Sequence, residues 1–178
     1  TCGEAPFLVS RYDTVTRGPI PLKDRAGLLD RKLKVVNENI CAKEEWIEWA
    51  IRAFESSYGY EYQGDNLLIA RINLLLTFVD YYKDCWGEDP DKRLLRRIAN
   101  RIVWNVWQMD GLQGTVPFRE DKCRIRDWRK HKTVFPVYAG VILRLRGHLR
   151  SQCRVPRVCG GDPRWDVARG LSGRGFPG

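Results

Sequence analysis

The chain has 178 residues, enough for one domain with a substantial core, and its 43% apolar and 30% charged composition is that of a globular protein. No apolar run approaches the roughly 20 residues a membrane span requires, and no charged-then-apolar leader is present, so the expected location is the cytoplasm. The net charge of +9 is uneven: residues 144–178 carry eight Arg, no Lys and two Asp, so +6 of the net +9 belongs to the tail rather than to the body.

The first residue is Thr1 and the only methionine is Met109, so the chain reads as a fragment. It opens on Cys2-Gly3-Glu4-Ala5-Pro6-Phe7-Leu8, a glycine turn from which Phe7 to Tyr12 continue as a first helical turn or two. Gly18, Pro19 and Pro21 make Thr14 to Pro21 a loop. From Asp24, apolar residues recur at Leu28, Leu29, Leu33 and Val36, the spacing of a helix that Asn37 to Cys41 closes. A second helix runs from about Lys43 to Glu55, with Trp46, Ile47, Trp49, Ala50, Ala53 and Phe54 as its apolar face.

Tyr58-Gly59-Tyr60-Glu61-Tyr62 is short and aromatic and reads as a strand. Asp65-Asn66 then supplies a helix cap, Leu67 to Tyr82 is the longest helix, and Gly87 and Pro90 end it. A helix from about Pro90 to Arg101 turns Leu94, Leu95 and Ile98 inward and a basic face outward. Ile102 to Gln108 is apolar enough for a buried second strand. Cys123 to Trp128 and Thr133 to Phe135 form a hairpin at the edge of a body spanning 1–143. Residues 144–178 hold seven Gly and three Pro, and read as a disordered or non-native tail or, in a competing reading, as a basic nucleic-acid arm. Strands alternating with helices argue for α/β architecture with a parallel sheet.

Neither the six cysteines nor His131 and His148 show the spacing of a zinc site, and in the cytoplasm the thiols stay reduced. There is no phosphate loop, acyl-transfer triad or clustered acidic nuclease motif. What stands out is three pieces in order: a glycine turn at Gly3, an acid ending the first strand at Glu61, and an acid after the second at Asp110. A nucleotide-type ligand has matching needs: close backbone approach, a carboxylate for a ribose diol, and an acceptor for an adenine amino group. Each residue has a plainer reading: Gly3 as a turn glycine, Glu61 as a solvated strand-end acid, and Asp110-Gly111 as a simple turn. The tryptophans read as core rather than as stacking platforms, and Arg93, Arg96, Arg97 and Arg101 as either a solvated face or phosphate contacts.

These pieces resemble the N6-adenine DNA methyltransferases of restriction–modification systems. Cys2 to Leu8 looks like the end of their Asp-Pro-x-Cys-Gly-x-Gly-x-Phe-Leu motif. Tyr58-Gly59-Tyr60-Glu61, followed by a helix with Ala70-Arg71, is similar to their second motif, and Asn105 to Leu112 to their third. The resemblance covers residues 1–135 and is nearest to restriction endonuclease subunit M. It implies a Rossmann-like S-adenosylmethionine-dependent methyltransferase fold, helix-rich and lacking its first strand, with Cys2, Gly3, Phe7, Glu61 and Asp110 toward the cofactor. DNA and a second methyltransferase or restriction subunit are the implied partners, with no metal and no membrane. Ala5 and Met109 stand where that family has glycines. The Asn-Pro-Pro-Tyr/Phe tetrapeptide that holds the flipped adenine is absent, so no catalytic residue is assigned. The function expected is the cofactor-binding portion of a DNA adenine methyltransferase; the alternatives are a non-catalytic remnant or scaffold, or a basic nucleic-acid-binding module.

Overall fold

A computed structural model describes residues 8–134. Cys2, Gly3, Phe7 and the 144–178 tail lie outside the described residues. After a short 3-10 turn (Leu22–Asp24) come α1 (Leu28–Asn39), α2 (Lys43–Glu55), β1 (Gly59–Glu61), α3 (Gly64–Trp86), α4 (Lys92–Asn105), β2 (Val106–Gln108), β3 (Ile125–Asp127) and β4 (Lys132–Val134). The described body is therefore helix-rich, with two small sheets: β1 pairs parallel with β2, and β3 pairs antiparallel with β4. No described helix is long and apolar enough to cross a membrane.

The core is the meeting of the apolar stripes of the four helices, and its centre is the fully buried Trp46 on α2. Its ring lies 5.9 Å from Phe78, 5.6 Å from Tyr82 and 6.4 Å from Trp86, all on α3, and its Nε1 donates to Asn37 Oδ1 on α1 at 2.7 Å. An indole buried this deeply needs such a partner. The helical periodicity located α1 and α2 well, and α2 has the expected bounds.

The other elements depart from expectation for identifiable reasons. Residues 8–12 are not a helical turn; they run irregularly, with Tyr12 bridging to Pro19. Asp65 does not cap α3. Gln63 occupies the cap position without a side-chain bond, and Asp65 lies in the first turn, where its charge suits the helix dipole. α3 continues to Trp86 and closes on Gly87, whose φ of 68° is the left-handed conformation glycine adopts most readily. Asp91 caps α4 by accepting from Leu94 N at 2.8 Å. α4 then runs four residues past Arg101, so Ile102 to Asn105 are helical and only Val106 to Gln108 form the strand. Ile102 and Asn105 keep the core-facing spacing of Leu94 and Ile98, which a strand would break.

Asn105 closes this corner. Its Nδ2 donates to the carbonyls of Phe54 and Ser57, and its Oδ1 accepts from Trp128 Nε1 at 2.6 Å, tying the hairpin to the end of α2. Tyr58 adds a second tie through its hydroxyl to Arg126 O at 2.8 Å. Burial, with Asp127 and Glu55 nearby, pushes the Tyr58 phenol up to about 12 from 10.0. The unfolded chain thus loses this proton first as pH rises. Stability is fully present below about pH 10 and declines through about pH 12. Urea titrations across that window should show a decline that Tyr58→Phe makes smaller; an unchanged decline would place the titrating group elsewhere.

Candidate functional site

The two strand-end acids are brought to one place by the β1–β2 pairing. Gly59, Tyr60 and Glu61 face Val106, Trp107 and Gln108 in parallel register, and Met109 N continues the ladder to Glu61 O at 2.9 Å. Glu61 and Asp110 therefore leave the same end, the carboxyl end, of adjacent parallel strands. Open α/β sheets bind their ligands at that edge. The link between the strands is a two-helix crossover, α3 then α4. Arg71 on α3 secures it by donating through Nε and Nη2 to Val106 O on β2 at 3.2 and 2.8 Å. The preceding Ala70 is buried. The Ala-Arg pair thus has a structural task, with a small side chain inside the helix packing and a cation tied to the strand.

The carboxylates are held differently. Glu61 is only 3% exposed, and its Oε1 accepts from Tyr62 N at 2.9 Å and Gln63 N at 3.3 Å. It thereby fixes the turn into α3, the role expected of Asp65. It is not the solvated strand-end acid of the plainer reading. Asp110 is half-buried, and its Oδ1 accepts from Leu112 N at 2.8 Å and Gln113 N at 3.1 Å. It opens a tight loop that returns through Asp110 N to Thr115 O and Gly114 N to Asp110 O. The turn reading of Asp-Gly is correct in geometry. The Tyr60 ring lies against the Gly111 backbone where a Cβ would project, so a larger residue there would displace that ring.

Sequence reasoning passed over the aromatic rim of this edge. Tyr60 and Tyr62 are more than two-fifths exposed, and Phe118 is 92% exposed with its ring 5.6 Å from Tyr62. Phe118 also has φ of 62°, a strained conformation for a bulky residue outside glycine. The only signal in the sequence was an aromatic following Pro117. Cys123 lies beneath the same loop, its Sγ 3.7 Å from Gln108 O, and burial pushes its thiol up, making it a poor nucleophile. Cys85 is likewise a free thiol, whereas Cys41 is disulfide-bonded, contrary to the expectation of reduced thiols throughout. Among the described residues no group of three or more His, Cys, Asp or Glu is assembled as a metal set.

A cleft of about 240 Å³ lies elsewhere, between the start of α2 and the start of α4, lined by Lys43, Ile47, Tyr82, Glu88, Arg93 and Arg97 among others. It does not adjoin Glu61 or Asp110. No protein-family model, curated protein or solved structure matches this sequence.

Proposed function

We propose that this chain is the cofactor-binding portion of an S-adenosylmethionine-dependent methyltransferase of Rossmann-like type, whose substrate is adenine N6 in DNA and whose setting is a restriction–modification system. One observation carries the reading: Glu61 and Asp110, 49 positions apart in the sequence, end two adjacent parallel strands on the same edge. In this reading Glu61 accepts from the ribose hydroxyls and Asp110 from the adenine amino group, while Tyr62 and Phe118 offer apolar rings beside them. Cys2, Gly3 and Phe7 contribute the methionine side. The bonds from Tyr62 N and Gln63 N preset the orientation of the Glu61 carboxylate. Because Glu61 is covered, binding has to open the structure around it.

When bound, the cofactor supplies an electrophilic methyl group on a sulfonium. The protein's residues bind and orient it and exclude water. The group that holds the flipped adenine lies outside residues 1–178, on a further part of this protein or on a partner, since these residues contain no Asn-Pro-Pro-Tyr/Phe.

Calorimetry of the full chain with S-adenosylhomocysteine tests the reading. Saturable binding is expected, reduced by roughly 10–100-fold in Glu61→Ala, because the ribose diol loses an acceptor worth about 1–3 kcal/mol. Glu61→Gln keeps an oxygen for Tyr62 N and Gln63 N and separates ligand loss from loop damage. A folded wild-type chain that gives no saturable heat overturns the assignment.

A further inference from the structure

We infer that the outer face of α4, built by Arg93, Arg96 and Arg97, is a contact surface for the phosphate backbone of double-stranded DNA. The choice of DNA as the polyanion rests on the methyl-transfer reading; the surface itself rests on the helix. Leu94, Ile98, Ile102 and Asn105 turn toward the core. At 100° per residue, Arg93, Arg96 and Asn100 point away from them, and Arg97 lies on the flank next to Arg93. All four are exposed. Arg93 and Arg97 are about 6 Å apart along the axis, with Arg96 beside them.

Three features set this face apart from an ordinary solvated one. First, α4 carries Lys92, Arg93, Arg96, Arg97 and Arg101 and no acid at all. Intrahelical charge pairing, the usual stabiliser of an exposed helix face, is therefore missing, and like charges repel. Second, Lys92 and Arg93 occupy the first turn, the positive end of the helix dipole, where cations are unfavourable. Such a local conflict needs a compensating role.

Third, the neighbouring acids are engaged elsewhere. Glu88 pairs with Lys43, Asp89 with Lys83, and Glu55 with Arg101, while Asp91 caps the helix. Arg101 is further held over the Trp128 ring at 4.9 Å. No ion pair among the described residues involves Arg93, Arg96 or Arg97, and all three are exposed, Arg93 and Arg97 lining the cleft that Glu88, Asp89 and Asp91 also line. Arginine in that position suits phosphate, whose oxygens accept two parallel bonds from one guanidinium.

The test is fluorescence anisotropy of the full chain on a labelled DNA duplex across a salt series, with Arg93→Gln, Arg96→Gln and Arg97→Gln combined. Each phosphate contact contributes about 0.9 to the slope of log affinity against log salt. The triple variant should therefore lower the slope by up to about 2.7 and weaken binding on the order of 10²-fold at about 0.1 M salt. Its melting curve should stay close to wild type, since glutamine preserves helix propensity and all three side chains are exposed. Its affinity for S-adenosylhomocysteine should also be unchanged, which keeps failure of this surface distinct from failure of the cofactor site. The inference is overturned if the triple variant binds duplex as wild type does while Arg144, Arg146 and Arg150→Gln abolish binding, which would assign the affinity to the tail. Absence of duplex binding in wild type, or selective loss of RNA rather than duplex binding in the variant, overturns it equally.

Discussion

Replacing Gly27 with alanine should lower the unfolding free energy by about 3 kcal/mol or more. A Cβ there would lie 2.6 Å from Asp30 Oδ2, Leu8 O and the Val9 Cα at once, and two of these three are backbone. None can withdraw without breaking something else. Leu8 O accepts from Leu29 N at 2.8 Å, and the fully buried Asp30 accepts from Ser10 N at 2.8 Å and Gly27 N at 3.2 Å. The added methyl group thus forces apart the crossing of the irregular 8–10 segment and the start of α1. Gly87→Ala is the contrasting control: it has φ of 68° but open space around it, so it should lose only about 1 kcal/mol. Urea unfolding of the two variants checks the pair, and similar small losses in both would refute the crowding argument.

Asp80→Ala should cost about 2–3 kcal/mol by the same measurement. Asp80 on α3 receives Arg11, and also Arg25 at 2.6 Å, and both arginine side chains are nearly buried. Removing the carboxylate leaves two covered cations without their counter-ion, which is more damaging than losing an exposed ion pair. The figure is below that for a fully buried pair because the Asp80 side chain is 29% exposed, so water enters where the carboxylate was. Arg25 retains one bond, Nε to Ile20 O at 3.1 Å. Asp80→Asn, which keeps the volume but not the charge, should recover less than half of the loss; full recovery would show that packing rather than charge holds the arginines.

Both substitutions act on how residues 8–27 are clamped to α1 and α3. That segment follows directly on Cys2, Gly3 and Phe7, the residues expected on the methionine side of the cofactor. Gly27→Ala combined with Asp80→Ala should fall short of additivity, since either change alone already loosens the shared clamp. Under the proposed function, each should also weaken S-adenosylhomocysteine binding although neither residue lies at the carboxyl edge of the sheet.

The sequence alone determined the helices. Leu28, Leu29, Leu33 and Val36, and the Trp46 to Phe54 stripe, carry a 3.6-residue period that only a helix packed on one side explains. It determined as well that Glu61 and Asp110 follow short apolar segments. It misjudged Ile102 to Asn105, because a dense apolar run reads equally as a buried strand or as the last turn of a buried helix. It also gave the capping role to Asp65, because propensity does not register a carboxylate folding back from the preceding strand.

Only the tertiary structure decided that β1 and β2 pair in parallel, placing the two acids on one edge, that Arg71 ties the crossover helix to β2, and that Phe118 comes to rest beside Tyr62. The physical reason is the same in each case. Three-residue strands and single side-chain bonds between distant segments leave no periodicity along the chain, and their pairing is fixed by which helix faces must bury together.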